Sequence, residues 1–315
     1  MGKWLKSGKG QRFLIMTTFM CVPLILLFVF TYLPFFKMMQ FSLYDMKYIG
    51  KREFIGLKNY VDIFHDKEVM GSLVLALYYL MGSFIQLALA LYFATMLSFK
   101  TWGNGIFKGA IFFPYLVSGI AMGFVFRFFY TRGFVLDSVL GWFGLNIDNL
   151  PYWLKDKSIN NISLVATSIW RYMGQNMVLF IGAIMSVDKD LYESSSLDGA
   201  NRWHQFKYII LPSIQTIVVL NMILSISGSL AAFEPSFVIT GGTRGTGTYF
   251  LIMHNMAHNL QRVGKASAMA LILFGLIIIV TVGQKLFFKY AFSDSNSDVS
   301  RKTTRRLKRY AKEAK

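Results

Sequence analysis

Apolar residues along this chain fall into six long runs, roughly Phe13–Phe36, Ser72–Phe99, Gly109–Tyr130, Ser163–Val187, Ile214–Ile239 and Ser267–Phe288. Each approaches or exceeds the ~20 residues that a helix needs to cross a hydrocarbon core. The strict alternation that marks a barrel strand is missing, so helices with internally paired backbones are the expected spanning element. The pattern predicts an all-α membrane protein with six transmembrane helices. Residues 13–290 form one domain, between a basic N-terminus (1–12) and a basic tail (291–315).

The polar stretch between the fourth and fifth runs, residues 188–212, has an internal order of its own. Asp190 and Glu193 read as a helix N-cap and its capping-box partner. Gly199 sits where a helix C-cap wants a positive φ. Asn201 starts a second helix that carries Trp203, Phe206 and Ile210 on one face. Pro212 then leads into the next apolar run. The expected form is helix, glycine turn, helix, displayed at one membrane surface.

Within that stretch, Glu193, Asp198, Gly199, Ala200, Phe206, Leu211 and Pro212 match the coupling-loop pattern of ABC importer permeases, a Glu-Ala-Ala followed by Asp-Gly-Ala and an aliphatic Leu-Pro. Ser194 and Ser195 stand where that pattern has alanines, and both are small. The chain resembles the carbohydrate-uptake branch of these permeases, over about residues 13–290. The resemblance implies a type I ABC importer permease fold, with the loop as a cytoplasmic helix-turn-helix. It implies four further participants: a second homologous permease subunit, a cytoplasmic ABC ATPase dimer, an extracytoplasmic solute-binding protein and a sugar substrate. The chain itself is then not an enzyme.

Composition supports the membrane reading. Of 315 residues, 54% are hydrophobic and only 16% charged, well below the charge of a soluble domain. The net charge of +17 sits in the segments that flank the runs, where membrane topology accounts for it and no nucleic acid partner is needed. With both termini on one side, the terminus-side segments hold 18 Lys and Arg in 70 residues, against 13 in 97 on the other. Both termini, and with them the 188–212 loop, are therefore expected in the cytoplasm of a bacterial-type cell membrane. The basic tail, rich in Arg and Lys from Arg301 on, suits anionic lipid heads. Lys3 to Arg12 before an apolar run imitate a signal peptide, but the run is too long, and an uncleaved first helix is expected. The single Cys21 offers no internal disulfide and no redox or metal role.

Three other loops stand out. Phe54, Leu57, Val61 and Phe64 recur at helical spacing, pointing to a short surface helix. The segment Thr131–Ile162 holds a turn at Gly133 and a short amphipathic element. It resembles the large-subunit type of the maltose transporter, and either a delivering protein or the bundle itself is its natural contact. The glycine cluster in Phe233–Gly247 marks an irregular turn. Its Phe-Glu and Thr-Gly-Gly resemble a sugar-permease phrase with Glu234 in place of Asp. No Gly-Lys-Ser/Thr follows, so a phosphate cradle is not expected.

Polar residues inside apolar runs are costly and invite a functional reading. The fourth run offers Trp170, Arg171, Tyr172, Gln175 and Asn176, aromatic faces for sugar rings with amides and a guanidinium for hydroxyls. The fifth offers Asn221, Ser225 and Ser229 in one stripe. These eight are the candidate substrate pathway; the competing use is interhelical hydrogen bonding for the fourth-run residues and tight helix packing for the fifth-run stripe. His254 and His258 are four apart, but neither a third metal ligand nor a catalytic constellation suggests itself. No metal or cofactor is expected. The rival reading is an ion-coupled secondary transporter of a small polar solute, for which intramembrane carboxylates are scarce.

Overall fold

The computed structural model describes residues 8–99 and 103–313. The expectation for the basic stretch at 1–7, and the positions 100–102 and 314–315, lie outside the described residues. Helix α1 runs through residues 8–41, with a π turn at Phe28–Tyr32 between its two α-helical parts. Then follow β1 (Tyr44–Met46), β2 (Arg52–Phe54), α2 (Lys58–His65), α3 (Lys67–Ser98), α4 (Asn104–Leu116), α5 (Gly119–Phe129), α6 (Val135–Trp142) and α7 (Asn160–Met185). The remaining helices are α8 (Lys189–Leu197), α9 (Arg202–Ser213), α10 (Gln215–Leu230), α11 (Tyr249–His258) and α12 (Val263–Glu313).

The helical class is as expected, with one departure. Residues 44–54 form an antiparallel hairpin, Tyr44 opposite Phe54, in a chain expected to be all-α. Aromatic cross-strand pairing favours it: the Tyr44 and Phe54 rings meet edge to face at 5.4 Å.

The membrane spans also differ in form from the apolar runs. α1 (from Met16), α3 and α12 (to Tyr290) are long and apolar enough to cross a bilayer. The third run is instead two helices, α4 and α5, bent by 99°. Ser118 causes the restart: its backbone is extended, and its side chain accepts from the Ala121 N–H. α9 and α10 form a second bent pair, at 72°. α7 has 26 residues but is rich in Asn, Ser, Thr and Gln, and is less apolar than the three straight spans.

The chain divides into two compact units. In the first, residues 1–67 with 253–272, the α2 residue Ile63 is fully buried, and Asn59 donates to the carbonyls of Ser42 and Tyr44 at 2.8 and 3.0 Å. Lys265 pairs with Asp66 at 3.0 Å. The four apolar residues read from spacing, Phe54, Leu57, Val61 and Phe64, are all exposed; the buried side of α2 is Asn59 and Ile63. His258 meets Tyr48, hydroxyl to ring nitrogen, at 3.2 Å. Most of α1 is exposed apolar surface, including Phe19 and Phe30, which only lipid or another apolar surface can cover. Cys21 lies on that exposed surface.

In the second unit, residues 68–252 with 273–315, α3 and α7 form the core. Leu87, Ala90, Ala94 and Leu97 pack against Met177, Phe180, Ile181 and Ile184, with Ile210 and Ile214 closing the cluster. Close approach at α4 and α7 is set by Gly174, where a Cβ would strike the Ile111 carbonyl and come within 2.7 Å of the Phe112 Cα. The 131–162 loop is organised by the buried Asp137. Its carboxylate accepts from the Gly133 N–H at 2.6 Å and the Trp153 indole at 2.7 Å. Arg132 stands beside it and donates to the carbonyls of Ile147, Asp148 and Leu150. Nearby, two hydrogen bonds from Ser158 hold the Asp156 carboxyl below the usual carboxylate range.

Candidate functional site

The 188–212 segment owes its shape to local caps. The first helix is capped by Asp188, whose carboxylate accepts from the Asp190 N–H at 3.1 Å. This corrects the expected cap by two residues. Asp188 has an extended backbone and stays outside the helix, so Asp190 falls in its first turn and Glu193 beyond capping-box reach. Gly199 adopts φ +80°, and nothing lies within 4 Å of where a Cβ would be, so the turn is demanded by conformation rather than by crowding. Asn201 caps α9 by accepting from the His204 N–H at 2.9 Å. Trp203 and Phe206 stack at 5.6 Å.

Ser195 does more than fit a small space. Gln205, buried, donates to Ser195 Oγ at 3.1 Å and to Ser196 Oγ at 3.0 Å, while Ser195 Oγ donates to the Tyr192 carbonyl at 2.9 Å. α8 is thus clasped to α9 through serine hydroxyls. Tyr192 closes the base edge to face with Phe99 at 5.7 Å, and burial pushes its phenol above the ordinary value. Glu193, Ser194, Asp198 and Gly199 are exposed, as are Leu197 and Trp203, a mixed polar and apolar surface that none of the described residues covers. Ala200 and Phe206 are half-buried; Leu211 and Pro212 are exposed at the bend into α10.

The second feature is a cavity of about 490 Å³ between α3, α7, α10 and the link 231–235. Its wall includes Tyr172, Gln175 and Asn176 from α7, and Asn221, Ser225 and Ser229 from α10. Trp170 and Arg171 stand outside the wall. Trp170 packs edge to face on Phe126 at 5.3 Å. Arg171 turns to Glu234, with which it forms an ion pair, and its guanidinium lies 5.1 Å from the centre of the Tyr172 ring. The α10 polar groups partly serve their own helix: Asn221 Nδ2 donates to the Ile217 carbonyl at 3.0 Å and Ser229 to the Ser225 carbonyl at 2.8 Å. The Asn221 Oδ1 and the Tyr79 hydroxyl are buried without hydrogen-bond partners among the described residues. Such unpaired atoms are costly.

The α3 contribution to the wall, Tyr79, Ser83 and Gln86, was overlooked in the sequence. The signal was there: the three lie at i, i+4 and i+7 on one stripe of an otherwise apolar run. Asn160 and Asn161 were overlooked too. They donate to the Arg244 and Gly245 carbonyls at 3.0 and 3.2 Å and so fix the glycine turn that follows the cavity. Among the described residues, no cluster of three or more His, Cys, Asp or Glu is placed to hold a metal.

This architecture has relatives. In a crystal structure of a bacterial alginate ABC transporter, bound to its alginate pentasaccharide-loaded periplasmic protein, one chain superimposes with TM-score 0.77 at 17% identity, over 91% of this chain and 98% of that one. In sequence, the chain is 27% identical to the probable starch degradation products transport system permease protein of Thermoanaerobacterium thermosulfurigenes, over 90% of this chain and 94% of the relative. It is 30% identical to the osmoprotective compounds uptake permease protein of Synechocystis, over 84% and 96%. The trehalose/maltose transport system permease protein of Thermococcus litoralis is 26% identical over 84% and 90%. Residues 86–290 match the family of binding-protein-dependent transport system inner membrane components, and the chain belongs to that family.

Proposed function

We infer that this chain is the membrane-spanning permease subunit of an ATP-driven, binding-protein-dependent ABC importer, and that its cargo is a mono- or oligosaccharide. The exposed, glycine-turned segment at 188–212 carries the reading. It presents a shaped surface that this chain leaves uncovered, in a family whose members work with a binding protein. Relatives named for starch products and trehalose/maltose favour a sugar, as does a cavity walled by amides, hydroxyls and a Tyr ring.

Six spans follow if the three straight spans are joined by the two bent pairs and by α7, whose length of about 39 Å suffices to cross. The Lys and Arg asymmetry supports a cytoplasmic position for both termini. Glu193, Ser194, Ser195, Asp198, Gly199 and Ala200 then enter a cleft on a separate ATPase dimer, braced by Phe206, Leu211 and Pro212. A second permease subunit completes the pathway, and an external binding protein delivers the solute. ATP-driven closure of the ATPases draws the coupling segments together, and the breaks beside α5 and α10 let the spans swing between inward and outward access. Tyr172, Gln175, Asn176, Asn221, Ser225 and Ser229 line this half of the route, with Trp170 and Arg171 behind them.

The test is affinity purification of the tagged chain in mild detergent from its host, followed by reconstitution. Co-recovery of a second permease and an ABC ATPase, with uptake that requires ATP, is the expected result. Recovery of the chain alone, with uptake that follows an ion gradient, would replace this reading with a secondary carrier.

A further inference from the structure

Charge around the cavity is arranged in two layers. Among the described wall residues, Glu234 bears the one formal charge; the rest are apolar, amide, hydroxyl or glycine. Arg171 stands behind it. The Glu234 side chain is 43% exposed and the Arg171 side chain 13%. Arg171 Nη1 donates to Glu234 Oε2, and its Nε is buried without a partner. Gly119, the first residue of α5, closes the other side: a Cβ there would strike the Glu234 carboxylate and approach Arg171 Nη1 to 2.6 Å. The pair is therefore held between a bare backbone and the Tyr172 ring, with the carboxylate on the cavity side.

A guanidinium keeps its charge in any protein setting, and carboxylates or phosphates bind it in pairs of hydrogen bonds. Left uncovered beside a cavity, Arg171 would favour anionic solutes. Glu234 cancels that charge and meets the solute with acceptor oxygens, which suit hydroxyl donors and repel anions. We propose that Glu234 is a specificity-determining residue: by masking Arg171 it makes this half of the pathway accept neutral polyhydroxylated solutes and refuse anionic ones. The proposal rests on the transport reading above.

The experiment uses the permease–ATPase complex in nanodiscs without its binding protein, so that only the pathway selects. It is titrated calorimetrically with maltotriose, a neutral probe, and with trigalacturonate, an anionic one. Wild-type complex is expected to favour maltotriose. E234Q should bind trigalacturonate about tenfold more tightly than wild type, the scale of one charge-assisted hydrogen-bond pair. R171Q/E234Q should lose that gain, which a merely structural role for Glu234 would not produce. Should E234Q fail to fold, the exchange R171E/E234R restores the pair with the guanidinium on the cavity side, and it too should gain the anion. The anionic probe alone decides the case: unchanged trigalacturonate affinity in the folded variant, or a gain that survives loss of Arg171, overturns the proposal. Failure of the transport reading would appear separately, as a chain that recovers no ATPase.

Discussion

The 188–212 segment and the cavity are both polar regions of an apolar chain, yet they are built in opposite ways. Between Asp188 and Pro212 each structural decision is taken within a few residues: Asp188 caps one helix, Gly199 turns, Asn201 caps the next, and Gln205 ties them through Ser195 and Ser196. The cavity draws its wall from Tyr79 to Pro235 and exists only because distant helices approach closely. Local devices give a rigid knob that can move as a body. Long-range packing gives a space whose shape depends on every helix around it.

Substitutions at Gly174, where the cavity helix α7 packs on α4, and at Gly199 should separate these two modes. The largest effect is expected at Gly174, where a side chain meets main-chain atoms of α4 that have nowhere to go. G174L should cost about 3 kcal/mol or more, as overpacking at a backbone contact does. Thermal unfolding of the detergent-purified protein checks this; a melting temperature equal to wild type would show that the α4–α7 contact does not hold the second unit together.

G199D should behave differently. A Cβ at this position meets nothing, so the cost is confined to backbone strain of about 1–2 kcal/mol. We expect a folded complex whose ATP hydrolysis continues while uptake is lost, because the altered turn no longer seats on its partner. Normal uptake with normal ATPase stimulation would remove the segment from the coupling role.

The smallest effect belongs to the cap. N201A removes one side-chain acceptor from an exposed helix start and should cost about 1 kcal/mol. Amide hydrogen exchange should show faster opening of the first turn of α9, with the cavity helices unchanged. Spread of that change into α7 would mean that the knob and the cavity are less separate than their contacts suggest.

This difference also decides what could be read from the chain beforehand. The helix–turn–helix at 188–212 was legible because caps and positive-φ glycines act over a few positions. Its one error, Asp190 for Asp188, arose because two acidic residues compete for one cap and only the backbone conformation chooses. In the cavity, Tyr172, Gln175 and Asn176 of α7 and the α10 stripe were legible as polar breaks in apolar runs, whereas Trp170 and Arg171, read with them, stand outside the wall. Tyr79 and Gln86 were passed over because a Tyr and a Gln in a long apolar run look like ordinary packing until another helix is set against them. The ion pair between Arg171 and Glu234 spans 63 positions of sequence, and no spacing rule reaches that far. The break at Ser118 was missed for a further reason: hydropathy sees the composition of a run, not whether its backbone continues.

That break has a consequence for the cell. A helix that restarts within one apolar run leaves N–H groups of its first turn without helical acceptors; the Ser118 hydroxyl accepts from Ala121 and its carbonyl from Met122, which leaves the first two, Gly119 and Ile120, outside that cap. Hydrocarbon offers them nothing. If the chain assembles with other subunits as proposed, a copy made without them would keep those groups in a setting where lipid cannot pair them. On that reading, the abundance of the chain should follow that of the scarcest subunit rather than its own rate of synthesis.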